Sequence, residues 1–122
     1  LDRGVTPTLA RFADDGVRAA MRPSFPSKTF PNHWTLVTGL RPDRHGIVAN
    51  RMEDARRPGE TFTMASADPF WWNEAEPIWI AAERAGVRTA TMFWPGSNVA
   101  WGGQLTKEWP EPIRGGERPR DW

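Results

Sequence analysis

Pro77-Ile78-Trp79-Ile80-Ala81-Ala82-Glu83-Arg84-Ala85-Gly86-Val87-Arg88-Thr89-Ala90-Thr91-Met92-Phe93 reads as a helix followed by a strand. Pro77 stands early, Ile78, Ala81, Ala82 and Ala85 share one face, and Gly86 is a helix stop. Val87 to Phe93 is then a strand, ended by Trp94-Pro95-Gly96-Ser97. The start of the chain has the same order. Thr6 suits an N-cap and Pro7 a first helical residue. Leu9, Phe12 and Ala13 share a face, Gly16 stops the helix, and residues 17–22 read as a strand.

Between these units, residues 23–28 form a loop with a proline near each end. A second helix restarts at Thr29-Phe30-Pro31-Asn32, with Trp34, Leu36, Val37 and Leu40 as its apolar side and Gly39 as its end. Residues 41–46 read as a polar turn and 47–49 as a short extended segment. Residues 51–75 are mostly irregular apart from a weak strand at 61–64. Helices are therefore expected over 6–16, 30–38 and 77–85. Alternating helices and strands mean an α/β fold around a mainly parallel sheet, with 17–22 and 87–93 as parallel neighbours. Two strands do not make a stable parallel sheet, so its remainder is expected outside these residues. Residues 102–122 read as an irregular tail. With no initiator Met at the start, residues 1–122 read as an incomplete part of one domain of a longer protein.

A length of 122 residues suits one domain. A hydrophobic share of 39% and a charged share of 25% match ordinary globular composition, which argues against disorder. No run approaches the ~20 apolar residues of a membrane-spanning helix. A net charge of +1 leaves no electrostatic footprint for nucleic acid. The lack of cysteine excludes a disulfide framework, a thiolate zinc site and a cysteine nucleophile. Two histidines, His33 and His45, cannot by themselves form a multi-histidine metal site.

Thr29 is the first candidate for chemistry. At a helix N-terminus, free N–H groups and the positive end of the helix dipole favour an anion such as phosphate. A hydroxyl there can cap the helix, donate to a phosphate, or act as a nucleophile if a metal lowers its pKa. Lys28 can steer a phosphate or simply be a solvated loop residue. Asn50 can donate to an oxyanion or simply favour a turn. Asp43 and His45 suggest a metal or acid–base pair, although a His-Gly turn is more often structural. Phe70-Trp71-Trp72, Trp79, Phe93 and Trp94 could stack a nucleobase; for Trp79 and Phe93 a place in the core is expected.

Pro26-Ser27-Lys28-Thr29-Phe30-Pro31-Asn32 resembles the nucleophile segment of the nucleotide pyrophosphatase/phosphodiesterases, a family of the alkaline phosphatase superfamily. Thr6-Pro7-Thr8-Leu9 resembles the helix before that segment, and residues 38–50 resemble the stretch after it. Trp71-Trp72, Glu76-Pro77-Ile78-Trp79 and Phe93-Trp94-Pro95-Gly96-Ser97 follow in the family's order, so the resemblance runs over roughly residues 5–100.

The resemblance implies an alkaline-phosphatase-like α/β sandwich and a hydrolase of phosphodiester or pyrophosphate bonds in small nucleotide-type substrates. It implies Thr29 as the nucleophile, two zinc ions with Thr29 in their shell, and Asn50 as a donor to a phosphate oxygen. It places Phe30 beside the nucleophile, with Trp94 in the same pocket, and gives Lys28 a family counterpart. The other metal ligands of the family fall on segments outside this chain, and His33 and His45 do not match its metal histidines. The chain alone is therefore expected to be inactive. Alternatives are a phosphomonoesterase or phosphonate hydrolase of the same superfamily, or an inactive homologue acting as a binding module. A periplasmic or extracellular location is implied in the same way.

Overall fold

A computed structural model describes residues 3–100 and the backbone of residues 101, 104 and 105. The helices are α1 (Pro7–Asp15), α2 (Thr29–Thr38), the short α3 (Pro42–His45) and α4 (Ile78–Arg84), with a 3-10 turn over Pro69–Trp71. Strands β1 (Met52–Glu53) and β2 (Thr61–Phe62) pair antiparallel, Met52 opposite Phe62. Strands β3 (Ala100–Trp101) and β4 (Gln104–Leu105) form a second antiparallel pair.

The three expected helices form where proline and glycine punctuate the sequence. Gly39 ends α2 at φ 70°, a left-handed conformation open to glycine, and its N–H bonds the Thr35 carbonyl. The turn expected at 41–46 is a single helical turn, α3, begun by Pro42 and closed by Gly46. The weak strand at 61–64 is real but shorter, and its partner β1 lies in the region expected to be irregular.

The expected parallel strands are a correction. Residues 17–22 are neither helix nor strand, and residues 87–93 hold one isolated bridge residue, Thr91. Strands exist by exchanging backbone hydrogen bonds with neighbours, and within these two segments Thr91 alone takes part in such pairing among the described residues. Their apolar side chains also stay outside; Val17 is 92% exposed. Phe93, expected in the core, is 50% exposed and turns the chain at φ 52°. Of the tail expected to be irregular, Gln104–Leu105 is strand; the rest lies outside the described residues.

The core is aromatic. Trp34 from α2 meets Trp72 edge-on at 4.8 Å between ring centroids and Trp79 from α4 at 5.8 Å. Phe62 packs on Trp72 at 5.4 Å and on Phe30 at 6.0 Å. These edge-to-face contacts suit rings with negative faces and positive rims. The Trp72 indole N–H reaches the Ser66 carbonyl at 3.0 Å. Gly96 passes so close that a Cβ would sit 2.7 Å from Trp34 and 2.8 Å from Trp72, and its φ is +83°. Only glycine meets both demands without displacement. The segment after Trp94 is thereby laid against α2.

Candidate active site

The N-terminal turn of α2 is built by side chains that reach it from both directions. From within the helix, the Asn32 carboxamide folds back on the preceding loop. Its Oδ1 accepts the Ser24 N–H at 2.7 Å, and its Nδ2 reaches the carbonyls of Ser24, Pro26 and Lys28 at 3.3, 3.0 and 2.9 Å. Short amides bond nearby backbone in this way, which competes with helix in mid-segment and organises it at an end. Residues 24–28 are thus fastened to the turn that follows.

From outside the helix comes Asn50. Its Oδ1 accepts the N–H of Phe30 at 2.9 Å. A backbone N–H only donates, so the amide orientation is settled by its partner, and Nδ2 is left with its protons to give. Asn50 also satisfies one of the donors that a helix start leaves open. Lys28 occupies the N-cap position with extended backbone and makes no side-chain capping bond.

Thr29 is the first helical residue and is exposed. The capping role open to it in the sequence is not the one its position gives, because the N-cap is Lys28. Among the described residues its hydroxyl has no hydrogen-bond partner. Its carbonyl accepts from Nδ1 of His33, one turn on, at 2.7 Å.

A cleft of about 320 Å³ opens beside this turn. Phe30, Trp72 and Trp94 line it, with Phe93 and residues 95–98 along one side and Met64 and Ser66 on the other. Phe30 is therefore both a core residue and a cleft wall. Trp71 and Trp79 are buried in the core instead. Phe70 lies under two guanidinium groups, Arg57 at 4.2 Å and Arg56 at 4.9 Å from the ring centroid.

A second cleft of about 240 Å³ is polar, with Asp43, Asp54, Arg56 and Glu74 among its lining. Its charges are largely spent on one another. Arg56 bonds Asp54 at 2.8 Å and Glu74 at 3.3 Å, and the guanidinium holds the Asp54 carboxyl down at about 2. Arg57 likewise pairs with Asp68 at 2.6 Å, and the Asp68 carboxyl is held low first by the Phe70 N–H and then by Arg57. None of the residues lining this cleft lines the first.

His45 is fully buried between α2 and α3. Its Nδ1 accepts the Ile47 N–H at 3.2 Å, so in the neutral ring the proton sits on Nε2, 3.0 Å from the Thr35 hydroxyl. Burial pushes its pKa below the ordinary value; bonding to the Pro31 carbonyl and the nearby Asp43 offset part of that. His45 is thus a structural strut leading into the segment that carries Asn50, while Asp43 is exposed. Among the described residues no three His, Asp or Glu gather as a metal site would require. Of the expected set, Thr29, Phe30 and Asn50 meet at one turn, with Lys28 beside it and Trp94 across the cleft. Asn32 and His33 join them there. Their signal in the sequence is a polar side chain one turn inside a helix that starts after a proline-rich loop.

The sequence profile of the type I phosphodiesterase/nucleotide pyrophosphatase family matches residues 1–121. A protein of Schizosaccharomyces pombe named an uncharacterized pyrophosphatase/phosphodiesterase is 47% identical over 103 residues, covering 81% of this chain and 21% of that protein. A bis(5'-adenosyl)-triphosphatase of Xenopus laevis is 45% identical over 101 residues, covering 82% of this chain and 22% of its own length. The solved structure of murine ectonucleotide pyrophosphatase/phosphodiesterase 5 superposes with a TM-score of 0.65 at 42% identity, over 70% of this chain and 24% of that one. An inactive variant of the murine protein, in complex with AMP, superposes with the same score. The chain thus spans about a fifth to a quarter of these proteins, and the described residues are a part of their α/β fold.

Proposed function

Because this chain belongs to the type I phosphodiesterase/nucleotide pyrophosphatase family, we propose that the whole protein hydrolyses phosphodiester or pyrophosphate bonds of nucleotide-type substrates. Residues 1–122 then form one part of its catalytic domain. The observation that carries the site assignment is the bond from the Phe30 N–H to Asn50 Oδ1. It holds the Asn50 carboxamide, whose Nδ2 keeps its protons to give, against the same turn that exposes the Thr29 hydroxyl.

In this reading Thr29 Oγ1 attacks phosphorus, and the alcohol or nucleotide on the far side leaves. A phospho-threonine results, which water cleaves with release of phosphate or phosphate ester. Asn50 Nδ2 donates to a non-bridging oxygen, where negative charge builds up in the transition state. The Lys28 cation beside the turn favours the same charge. Phe30 and Trp94 receive the base of a nucleotide. A cleft of about 320 Å³ with aromatic walls gives room to a second substituent on phosphorus, which favours a diesterase over a monoesterase. The AMP complex of the murine neighbour agrees with a nucleotide as the substrate type.

The resemblance implies two zinc ions. Of the shell that the resemblance implies, this chain would contribute the Thr29 hydroxyl, and a catalytic zinc site normally needs three protein ligands. We also propose a periplasmic or extracellular location, in line with relatives named ectonucleotide pyrophosphatases. Among the described residues no helix is long and apolar enough to cross a membrane.

The test is steady-state turnover of a chromogenic nucleotide diester by the whole protein. Thr29→Ala abolishes turnover, and Asn50→Ala lowers kcat by about 10²–10³, the scale of losing one oxyanion donor. Near-normal turnover in Thr29→Ala overturns the nucleophile assignment.

A further inference from the structure

We infer that His33 is a positioning residue that ties the turn carrying Thr29 to the aromatic wall of the cleft. This rests on the reading of Thr29 and the cleft given above. His33 belongs to no metal group and has no role in the chemistry described so far, yet its ring touches both parts of the site.

On one side, Nδ1 lies 2.7 Å from the carbonyl oxygen of Thr29. A carbonyl only accepts, so Nδ1 carries the proton and the ring donates to the backbone of the nucleophile residue. Side chains on a helix lean toward its N-terminus, which brings residue 33 over the turn that begins at 29. On the other side, the ring packs on Trp94 at 5.0 Å between centroids, tilted by 59°. Trp94 follows the turn at Phe93 and precedes Gly96, whose backbone is seated on Trp34 and Trp72. His33 thus joins a helix start to a loop wall that no strand connects to it among the described residues. An attacking oxygen displaced by about 1 Å can lose 10²-fold in rate, so a clamp at this place bears on chemistry without touching substrate.

Two substitutions separate the two contacts. His33→Phe keeps an aromatic ring against Trp94 and removes the donor to Thr29. His33→Asn removes the ring and keeps a donor within reach of the carbonyl four residues back, as Asn32 reaches Lys28 at 2.9 Å. The whole protein is assayed on a chromogenic nucleotide diester and on methyl p-nitrophenyl phosphate, which lacks a base, with AMP affinity measured by calorimetry.

The donor-less His33→Phe lowers kcat about tenfold on both substrates and leaves KM within about twofold. The ring-less His33→Asn raises KM for the nucleotide diester roughly threefold more than for the methyl diester, and weakens AMP to match. Melting temperatures identify a variant that loses its fold; His33→Gln then replaces His33→Asn as a second donor-bearing, ring-less form, and His33→Tyr, whose hydroxyl lies at the far end of the ring, replaces His33→Phe. Wild-type parameters in both variants, or equal losses in both variants on both substrates, overturn the inference and leave the function reading in place. A wild-type protein that neither binds AMP nor cleaves the diester overturns both.

Discussion

α1 and α2 are two helices of nearly equal length, nine and ten residues, and both have proline in the first turns. By pattern α1 is the better amphipathic helix, with Leu9, Phe12 and Ala13 in one stripe. Yet α1 buries none of its residues, while α2 buries Phe30, Pro31 and Trp34. The difference lies in what surrounds each. α2 is met by α3, by Trp72 and Trp79, and by the backbone at Gly96. The residues that follow α1, 17–22, are themselves exposed. A periodic stripe states which face wants burial; only a neighbour delivers it.

The sharpest way to break this contrast is to empty the α2 side. Trp34 is fully buried against two other tryptophans. Trp34→Ala costs about 3–5 kcal/mol, the range for deleting a large buried aromatic. Against a total stability of about 5–15 kcal/mol that is a large part of the whole. The loss is read from the urea midpoint at constant slope, and Trp34→Phe gives a milder version with the same sign. A change below about 1 kcal/mol for Trp34→Ala would show that the aromatic cluster is not what holds α2.

A second test concerns how the strut beneath α2 depends on pH. His45 is neutral in the fold with Nδ1 accepting from Ile47. Protonating Nδ1 would set two donors against each other in a buried place. Its pKa is lowered on folding, so between the folded and unfolded values the unfolded chain binds more protons and stability rises with pH. The stabilisation is complete above the ordinary histidine value of 6.5 and is lost as pH falls below it toward the folded value. Asp54, held at about 2, titrates well below that window. Melting temperature of the wild type therefore declines from pH 7 to pH 5 more steeply than that of His45→Gln, which carries no proton-binding ring. Parallel curves would remove His45 as the source.

These particulars also mark what the sequence could express. The three longer helices are legible because proline, glycine and the helical period are local signals. α3 is too short for a period, and β1 too short for an alternation. Residues 17–22 and 87–93 have strand-like composition, but pairing is a property of two segments, and composition describes one. Phe93 illustrates the same limit, since an apolar residue in such a run gives no hint of a positive φ. At the candidate site, Thr29, Phe30 and Asn50 were recognisable as residues through the family's motifs. The direction of the Asn50 amide was not, because it depends on a bond across 20 positions. Nor was the work of Asn32 and His33, whose hydrogen-bond partners are backbone groups without a sequence signature.

The smallest expected effect belongs to the other side of the contrast. Phe12 has the largest side chain in the α1 stripe, and it is 69% exposed. Phe12→Ala removes a ring already mostly in water, and alanine is the better helix former, so the two small changes oppose each other. In the 122-residue chain the net change is within about 0.5 kcal/mol, the usual span for surface substitutions. The measurement is the same urea midpoint used for Trp34, so the two variants lie on one scale. Made in the whole protein, the substitution also reports on neighbours beyond these residues. A cost near that of Trp34→Ala there, with a negligible one in the 122-residue chain, would identify the α1 stripe as a face covered by the rest of the protein. A large cost already in the 122-residue chain would contradict the exposure of α1 and, with it, the difference in burial between the two helices.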